Sequence, residues 1–226
     1  EHISSVPGFA DFTLKTAGIG DVAVNLSKSV KVNEKASLKA SGGVRLPLGS
    51  IDETGDTPRN GSGTEERLPF TMQLGSGTLD LTGSVTYSRI KGDMKFGANV
   101  NGTVRTGLND NGYRLGDNVG ASVFAQLTKS KKFQPGVQMS YRHIGQIKGE
   151  DASLMIGGPF PYPAGITNPQ NYGGDKIGIT GTIKSCLDET CKVSLNAEYG
   201  TPIYQNLNGI QPKERSNLSF GASVKF

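Results

Sequence analysis

Strict two-residue alternation of apolar and polar side chains is the feature that most constrains how this chain folds. A strand sends successive side chains to opposite faces of a sheet, so one face becomes apolar and the other polar. From Thr78 to Ser88 and from Met94 to Arg105, one alternate set is apolar or glycine and the other is polar or glycine. A helix cannot sort side chains with this period, so both segments are predicted strands.

Seven further segments follow the same rule and bring the prediction to nine strands. Their apolar faces are continuous and about as long as a tilted membrane-spanning strand requires. The chain is therefore predicted to be all-β and antiparallel, without helices. The seven segments are Asp21 to Val32, Ala36 to Leu46, Asn118 to Thr128, Pro135 to Gly145, Lys176 to Lys184, Lys192 to Tyr199, and Leu218 to Phe226.

The connections between these strands favour a membrane barrel over a soluble β-sandwich. Short turns around Glu34, Lys91, Lys131 and Asp188 alternate with long loops at 47–77, 106–117, 149–174 and 200–214. Alternation places all the short connections at one end of the sheet and all the long ones at the other. Bacterial outer-membrane barrels have this arrangement, with short periplasmic turns and long outer loops. Residues 21–226 are therefore predicted to form a transmembrane β-barrel in the bacterial outer membrane.

The number of strands indicates that the barrel needs more than these nine. If the carboxyl terminus is periplasmic, the first predicted strand also runs inward, whereas single-chain bacterial barrels have an even number of strands. The segment Phe9 to Lys15 alternates but is short for a membrane strand. Residues 1–20 are therefore predicted to be an outer loop or a truncated strand end. The missing strands would come from an upstream portion of the protein or from a partner chain.

Several segments resemble a family of bacterial outer-membrane transporters of the phenol-degradation "MetA-pathway" type. The resemblance runs from about Gly18 to Phe226, and its most specific blocks are "LPFTMQLGSGTLDLTGSVTYS" and "NDNGYRLGD". It implies a complete barrel of about twelve strands with further strands upstream of Gly18. The less specific blocks are "GIGDVAVNL", "LPLGSIDETGDTP", "GGDKIGI", "YGTPIYQNLNGIQ" and "FGASVKF".

Cys186 and Cys191 are the only two cysteines, and no histidine lies near them to complete a zinc site. A local disulfide across a short periplasmic turn is the favoured interpretation, with two free thiols as the alternative. A disulfide requires an oxidising compartment, and the periplasm is one.

The polar faces of the strands carry more basic than acidic side chains, which predicts a basic lumen that favours anions. Contact with upstream strands, loop carboxylates or lipopolysaccharide phosphate is the competing explanation for these charges. The predicted solute path comprises Arg45, Lys95, Arg105, Arg142 and Lys176, with the three arginines expected to form one ring beneath the long loops. The polar-face charges are Lys31, Lys39, Arg45, Lys95, Arg105, Arg142, Lys176, Lys184, Lys192 and Lys225 against Asp80 and Glu198.

The sequence offers no catalytic site, cofactor motif or metal site. His2 and His143 are the only histidines, and neither has a serine or carboxylate at a spacing that suggests a triad. The acidic loop from Ser50 to Arg67 lacks the spacing of an EF-hand loop, so a solvated loop is favoured over the alternative of calcium or partner binding. Basic residues are spread out and the net charge is only +4, which argues against nucleic-acid binding. No run of eighteen apolar residues exists to form a transmembrane helix.

Two functions remain compatible with these patterns. The first is an outer-membrane channel or transporter for small solutes. The alternative is a structural or partner-binding barrel with a plugged interior and functional outer loops. Lumen area separates the two functions. In a barrel of about ten strands, Arg and Lys side chains would fill most of the interior, whereas a barrel of about twelve strands would keep a narrow path. Expected partners are the lipid bilayer, lipopolysaccharide and small solutes.

Overall fold

The computed structural model describes residues 2–4, 12–56 and 65–224, and its main element is one sheet of nine long strands. Each strand grows from one of the alternating segments, so all nine predicted strands are confirmed. Residues Lys225 and Phe226 at the end of the last predicted strand lie outside the described residues. The strands are β1 Val22–Asn33, β2 Ala36–Leu46, β3 Leu79–Lys91, β4 Met94–Thr106, β5 Asn118–Leu127, β6 Gln134–Ile144, β7 Gly174–Cys186, β8 Val193–Leu207 and β9 Asn217–Val224.

The nine strands form an antiparallel meander in which every strand pairs with its neighbours in the chain. In the part of the chain that the structure describes, β1 and β9 are the two edges and do not pair with each other, so the sheet is not closed.

The register brings residues of the same polarity onto the same face. Val100 of β4 lies opposite Val85 of β3 and Ala121 of β5, so apolar side chains form a continuous band. The adjacent Asn101 lies opposite Ser84 and Gly120 on the other face. The apolar band is not covered by protein, since Val100 is 55% exposed in the isolated chain. Such a band needs lipid or a partner to remove it from water.

The strand β8 is longer than predicted, which corrects the expected loop at 200–214. Gly200 and Pro202 are residue types that are common in turns, but β8 continues through both of them to Leu207. A register shift between Ile177 and Gly178 of β7 lies next to Pro202. Proline is tolerated at such bulges because they interrupt the regular hydrogen-bond ladder. The remaining connection is 208–216.

The long connections contain short ordered elements, whereas the short connections are simple turns. Thr54–Asp56 pairs with Glu65–Arg67, and Tyr113–Arg114 pairs with Lys148–Gly149. Single 3-10 turns occur at Phe70–Met72, Ala152–Leu154, Gly165–Thr167 and Pro169–Asn171. None of the helical turns in the described residues is long and apolar enough to cross a membrane.

The buried hydrophobic cluster of the described chain lies in the long loops, not in the sheet. Phe70, Tyr113, Ile147 and Leu154 come from three different loops, and each is at most 6% exposed. We call the described loop segments 47–56, 65–78, 107–117 and 145–173 the loop cap. Three loops that share one core fold as a unit at that end of the sheet.

The described amino-terminal strands pair with each other and not with the nine-stranded sheet, and Leu14 contacts the loop cap. Phe12–Leu14 pairs with His2–Ser4 in a separate two-stranded sheet. Leu14 is buried and lies with Leu68 beside Gly55, so a Cβ built on that glycine would contact both leucine side chains. Residues 5–11, which include the start of the segment Phe9 to Lys15, lie outside the described residues.

Candidate functional site

The polar side chains line the concave face of the sheet. One cavity of about 270 Å³ is lined by residues of six consecutive strands, β4 to β9. Six strands of a flat sheet would spread over about 24 Å, so a single cavity reaches all six only because the sheet curves around it. A second cavity of about 380 Å³ lies between β5 and β9 nearer the short turns. The concave face is therefore the wall of a polar interior.

Arg45 and Arg105 meet at a buried carboxylate near the long-loop end of the concave face. Asp80 is fully buried, and its Oδ2 lies 3.8 Å from Arg45 Nη1 and 3.6 Å from Arg105 Nε. Thr78 Oγ1 donates a 2.8 Å hydrogen bond to Oδ1 of the same carboxylate. Arg105 also donates to the carbonyl of Gly116, and its side chain is only 10% exposed. Arg105 is thus held against the wall by protein groups, whereas Arg45 is 37% exposed and has only the contact with Asp80 among the described residues.

Arg142 lies apart from that cluster, beside Lys176. The two residues are direct register partners on β6 and β7. Lys176 Nζ lies 3.2 Å from Glu214 Oε2, and the backbone of Glu214 exchanges two hydrogen bonds with the side chain of Gln205. The three predicted arginines therefore divide into a pair that shares the single carboxylate of Asp80 and a separate group, Arg142 with Lys176, at the cavity that spans six strands.

Lys95, the remaining predicted path residue, lies near the opposite, short-turn end of the concave face. It is opposite Gln126 of β5, and its Nζ is 5.9 Å from the centre of the Phe124 ring. Phe124 is an aromatic residue on the polar face. Its ring fills the space above Gly97, where a Cβ would collide with the ring. Lys95 and Phe124 thus occupy the interior at the short-turn end of the sheet, away from the three arginines.

Polar contacts hold the loop cap to itself and to the wall. Asp21 accepts hydrogen bonds from the backbone N–H of Gly49 at 3.1 Å and of Ser76 at 2.8 Å, which fixes both ends of the first long loop to the start of β1. Asn111 Nδ2 of the second loop donates to the carbonyl of Ile51 at 3.0 Å. The cap is therefore anchored at several points around the mouth.

Two residues of the cap have shifted pKa values, one through burial and one through hydrogen bonds. Burial raises the pKa of Tyr113 to about 12. Hydrogen bonds from Asn111 and Arg67 lower the pKa of Asp52 below its ordinary value. Arg67 pairs with Asp52 within its own loop, and its Nε lies 3.8 Å from Asp151 Oδ2 in the segment 145–173, which connects the two loops.

The disulfide between Cys186 and Cys191 is present in the turn between β7 and β8. Asp188 closes the same turn by accepting hydrogen bonds from the backbone N–H groups of Thr190, Lys192 and Val193. The hydroxyl of Thr190 and those N–H groups hold the pKa of Asp188 well below its ordinary range. The turn is thus fixed by the disulfide and by the hydrogen bonds that the Asp188 carboxylate accepts.

A polar group on the convex face was not predicted from the sequence. His143 Nδ1 lies 2.9 Å from Asp175 Oδ1, and the hydroxyl of Tyr141 donates to the same oxygen at 2.7 Å. The three residues lie near the long-loop end of β6 and β7. Pairing of His143 with Asp175 depends on the register of two strands joined by a long loop, which the sequence alone does not reveal.

Among the described residues, no group of three or more His, Cys, Asp or Glu side chains is placed to hold a metal ion. The absence of catalytic activity stays a prediction.

Comparison with known proteins gives the fold. No protein-family model and no curated protein matches the sequence. The COG4313 outer membrane channel from Pseudomonas putida F1 superimposes with a TM-score of 0.63 at 13% identity, covering 91% of this chain and 65% of that one. OmpT, an outer membrane protein of Vibrio cholerae, superimposes with a TM-score of 0.50 at 11% identity, covering 89% and 55%. The fold is that of a bacterial outer-membrane β-barrel.

This outer-membrane fold explains the exposed apolar band. In such barrels the convex face contacts lipid hydrocarbon and the concave face is hydrated. The fold therefore locates the chain in the bacterial outer membrane. The chain spans 65% of the length of the P. putida channel, so its nine strands match part of that longer chain.

Proposed function

We propose that the chain forms the wall of an outer-membrane channel for small polar solutes, with a preference for anions. The observation that carries the proposal is the polar concave face, with cavities of about 270 and about 380 Å³ along it. The structural likeness to the P. putida channel supports the same role. The resemblance of its sequence blocks to transporters of the "MetA-pathway" type is compatible with it.

The charge on the concave face supports the anion preference. Register places eight basic and only two acidic residues on that face of the strands. A low-dielectric wall focuses the field of these charges into the interior. Lys192 lies in the turn before β8, and Lys225 is outside the described residues. The eight are Lys31, Lys39, Arg45, Lys95, Arg105, Arg142, Lys176 and Lys184, and the two are Asp80 and Glu198.

Closure of the channel requires strands beyond these nine, and we include that in the proposal. Among the described residues, no strand pairs with the outer edges of β1 and β9, and a bilayer does not tolerate unpaired backbone groups. A further segment of the same protein or a partner chain would pair with both edges. Intact-mass determination of the mature protein, followed by cross-linking from β1 and β9, would identify which of them does so.

A plugged barrel with functional outer loops is the second candidate, and the loop cap favours it. The cap has its own buried core and lies at the mouth, and it could seal the interior permanently. On this hypothesis the outer surface of the loops would contact a partner or lipopolysaccharide.

Planar-bilayer recording of the full-length protein separates the two functions. We expect discrete conductance steps and a reversal potential that shows anion selectivity in a potassium chloride gradient. Cation selectivity would contradict the anion path, and absence of conductance from protein shown to be folded would favour the plugged barrel.

A further inference from the structure

The concave cavity of about 270 Å³ has the features of a ligand-binding recess and not only of a stretch of pore. Its volume is slightly below the range of pockets that hold drug-sized molecules, so it suits a smaller solute. Its walls combine two cations with uncharged hydrogen-bonding groups. Asn99, Gln138, Thr180 and Asn217 are representative of the uncharged groups, and all four lie on the concave face.

Arg142 supplies an uncommitted guanidinium to this recess. Within the described part of the chain, its side chain makes no hydrogen bond or ion pair. Arg45 and Arg105, by contrast, each form an ion pair with Asp80. A guanidinium presents a fixed fork of donors that matches a carboxylate in two places. Arg142 is therefore the group in the recess best prepared to receive an anion.

Lys176 and Glu214 form an exchangeable pair beside Arg142. Both are partly exposed to the recess, and their contact of 3.2 Å is a single ion pair. An exposed pair of this kind has little net stability. An incoming carboxylate could bind between Arg142 and Lys176 and displace Glu214, which would then be free to accept a hydrogen bond from a hydroxyl group of the ligand.

The absence of a side chain at Gly200 leaves room on one side of the recess. Gly200 of β8 faces the cavity, and a Cβ there would collide with Asn217 Oδ1 and lie 3.0 Å from Thr180 Oγ1. Without that Cβ, the amide and hydroxyl groups of these neighbours stay accessible across the recess from Arg142.

From this arrangement we infer that the recess is a saturable binding subsite for a small hydroxylated carboxylate, such as a sugar acid. Arg142 and Lys176 bind the carboxylate, and the amide and hydroxyl side chains bind the ligand hydroxyls. The inference rests on the proposed channel function for its biological meaning, whereas the binding itself can be measured without conductance.

The direct test is calorimetric titration of the detergent-solubilised full-length protein with D-gluconate, with D-glucose as the uncharged control. We expect saturable gluconate binding and none by glucose. Arg142→Gln should weaken gluconate binding about tenfold or more, because it removes a charge-assisted contact. Arg142→Lys keeps the charge without the fork of donors, so its gluconate affinity should lie between those of the unaltered protein and Arg142→Gln.

Two further variants test the arrangement of the charges. Glu214→Gln removes the competing carboxylate and should preserve or strengthen gluconate binding. Lys184→Gln is the matched control for locality, since Lys184 lies on the same strand and face as Lys176 but toward the short turns. It should leave the gluconate affinity within about twofold of the unaltered protein, since separated charges in a hydrated interior are screened. Circular dichroism of each variant establishes that the barrel has folded.

The inference and the channel function can fail separately. Equal binding by gluconate and glucose, no binding by either, or unchanged affinity in folded Arg142→Gln would overturn the subsite. Conductance that persists without gluconate binding would leave the channel standing and reject the subsite. Gluconate binding to a protein that does not conduct would support the subsite and reject the channel.

Discussion

Replacement of Val100 by arginine tests whether the apolar band faces lipid. Val100 is the seventh of the 13 residues of β4, so it lies at the middle of a strand that spans the membrane. Its cross-strand neighbours Val85 and Ala121 offer no partner for a charge. Arginine at the midplane of a barrel costs about 2–4 kcal/mol of folding free energy.

The exposure of Val100 makes this magnitude diagnostic. Since 55% of its surface is uncovered by protein, little packing is lost when the side chain changes. An exposed substitution in water would cost at most about 0.5 kcal/mol. A penalty of several kcal/mol therefore requires hydrocarbon around the side chain.

The assay is urea titration of reversible folding into phospholipid vesicles, with two comparison variants. Asn101→Arg is one residue away but faces the hydrated interior, and we expect it to cost less than about 1 kcal/mol. Val104→Arg lies on the same lipid face nearer the long-loop end, and its penalty should fall between those of the other two. Equal penalties for Val100→Arg and Asn101→Arg would refute the assignment of the faces.

Three smaller predictions concern the cap and the turn. Phe70→Ala removes a ring that packs edge-on against Tyr113 at 4.7 Å, which should cost the cap about 3–5 kcal/mol and accelerate amide exchange in the loops but not in β3 to β6. Cys186→Ser with Cys191→Ser should lower the free energy of unfolding by about 2 kcal/mol or less, measured by urea titration, because the closed loop is short. Asp188 has a pKa lowered in the folded state by hydrogen bonds from Thr190, Val193 and Lys192. Its stabilisation should therefore be complete above the ordinary aspartate pKa of about 3.9 and be lost as pH falls below it, so unfolding curves of the unaltered protein and Asp188→Asn should converge in acid.

The wall could be predicted from the sequence because its signal is local. Each strand carries its own two-residue period, and an error of one residue would transfer a whole apolar set to the wrong face. The exceptions are local as well. Pro202 is a residue type that favours a turn, so the continuation of β8 to Leu207 was not predicted. Phe124 is an apolar residue on the polar face, where its ring covers Gly97 of the neighbouring strand.

The loop cap could not be predicted in the same way. Phe70, Tyr113 and Leu154 lie in three loops separated by about forty residues of chain each, and none belongs to a periodic segment. Their contact arises only after the strands have brought the loops to one end of the sheet. Long-range packing of this kind leaves no sequence period to detect.

The same distinction explains why the basic face of the interior does not act as one uniform ring. Alternation in the sequence correctly puts Arg45, Arg105 and Arg142 on one face, but the local field depends on where their partners fold. Asp80 neutralises part of the charge of Arg45 and Arg105 at less than 4 Å. The recess of Arg142 also holds two cations and one carboxylate, but Arg142 itself is exposed and makes no ion pair among the described residues, whereas Arg105 is only 10% exposed. Anion preference should therefore be governed more by Arg142 than by the pair near the mouth.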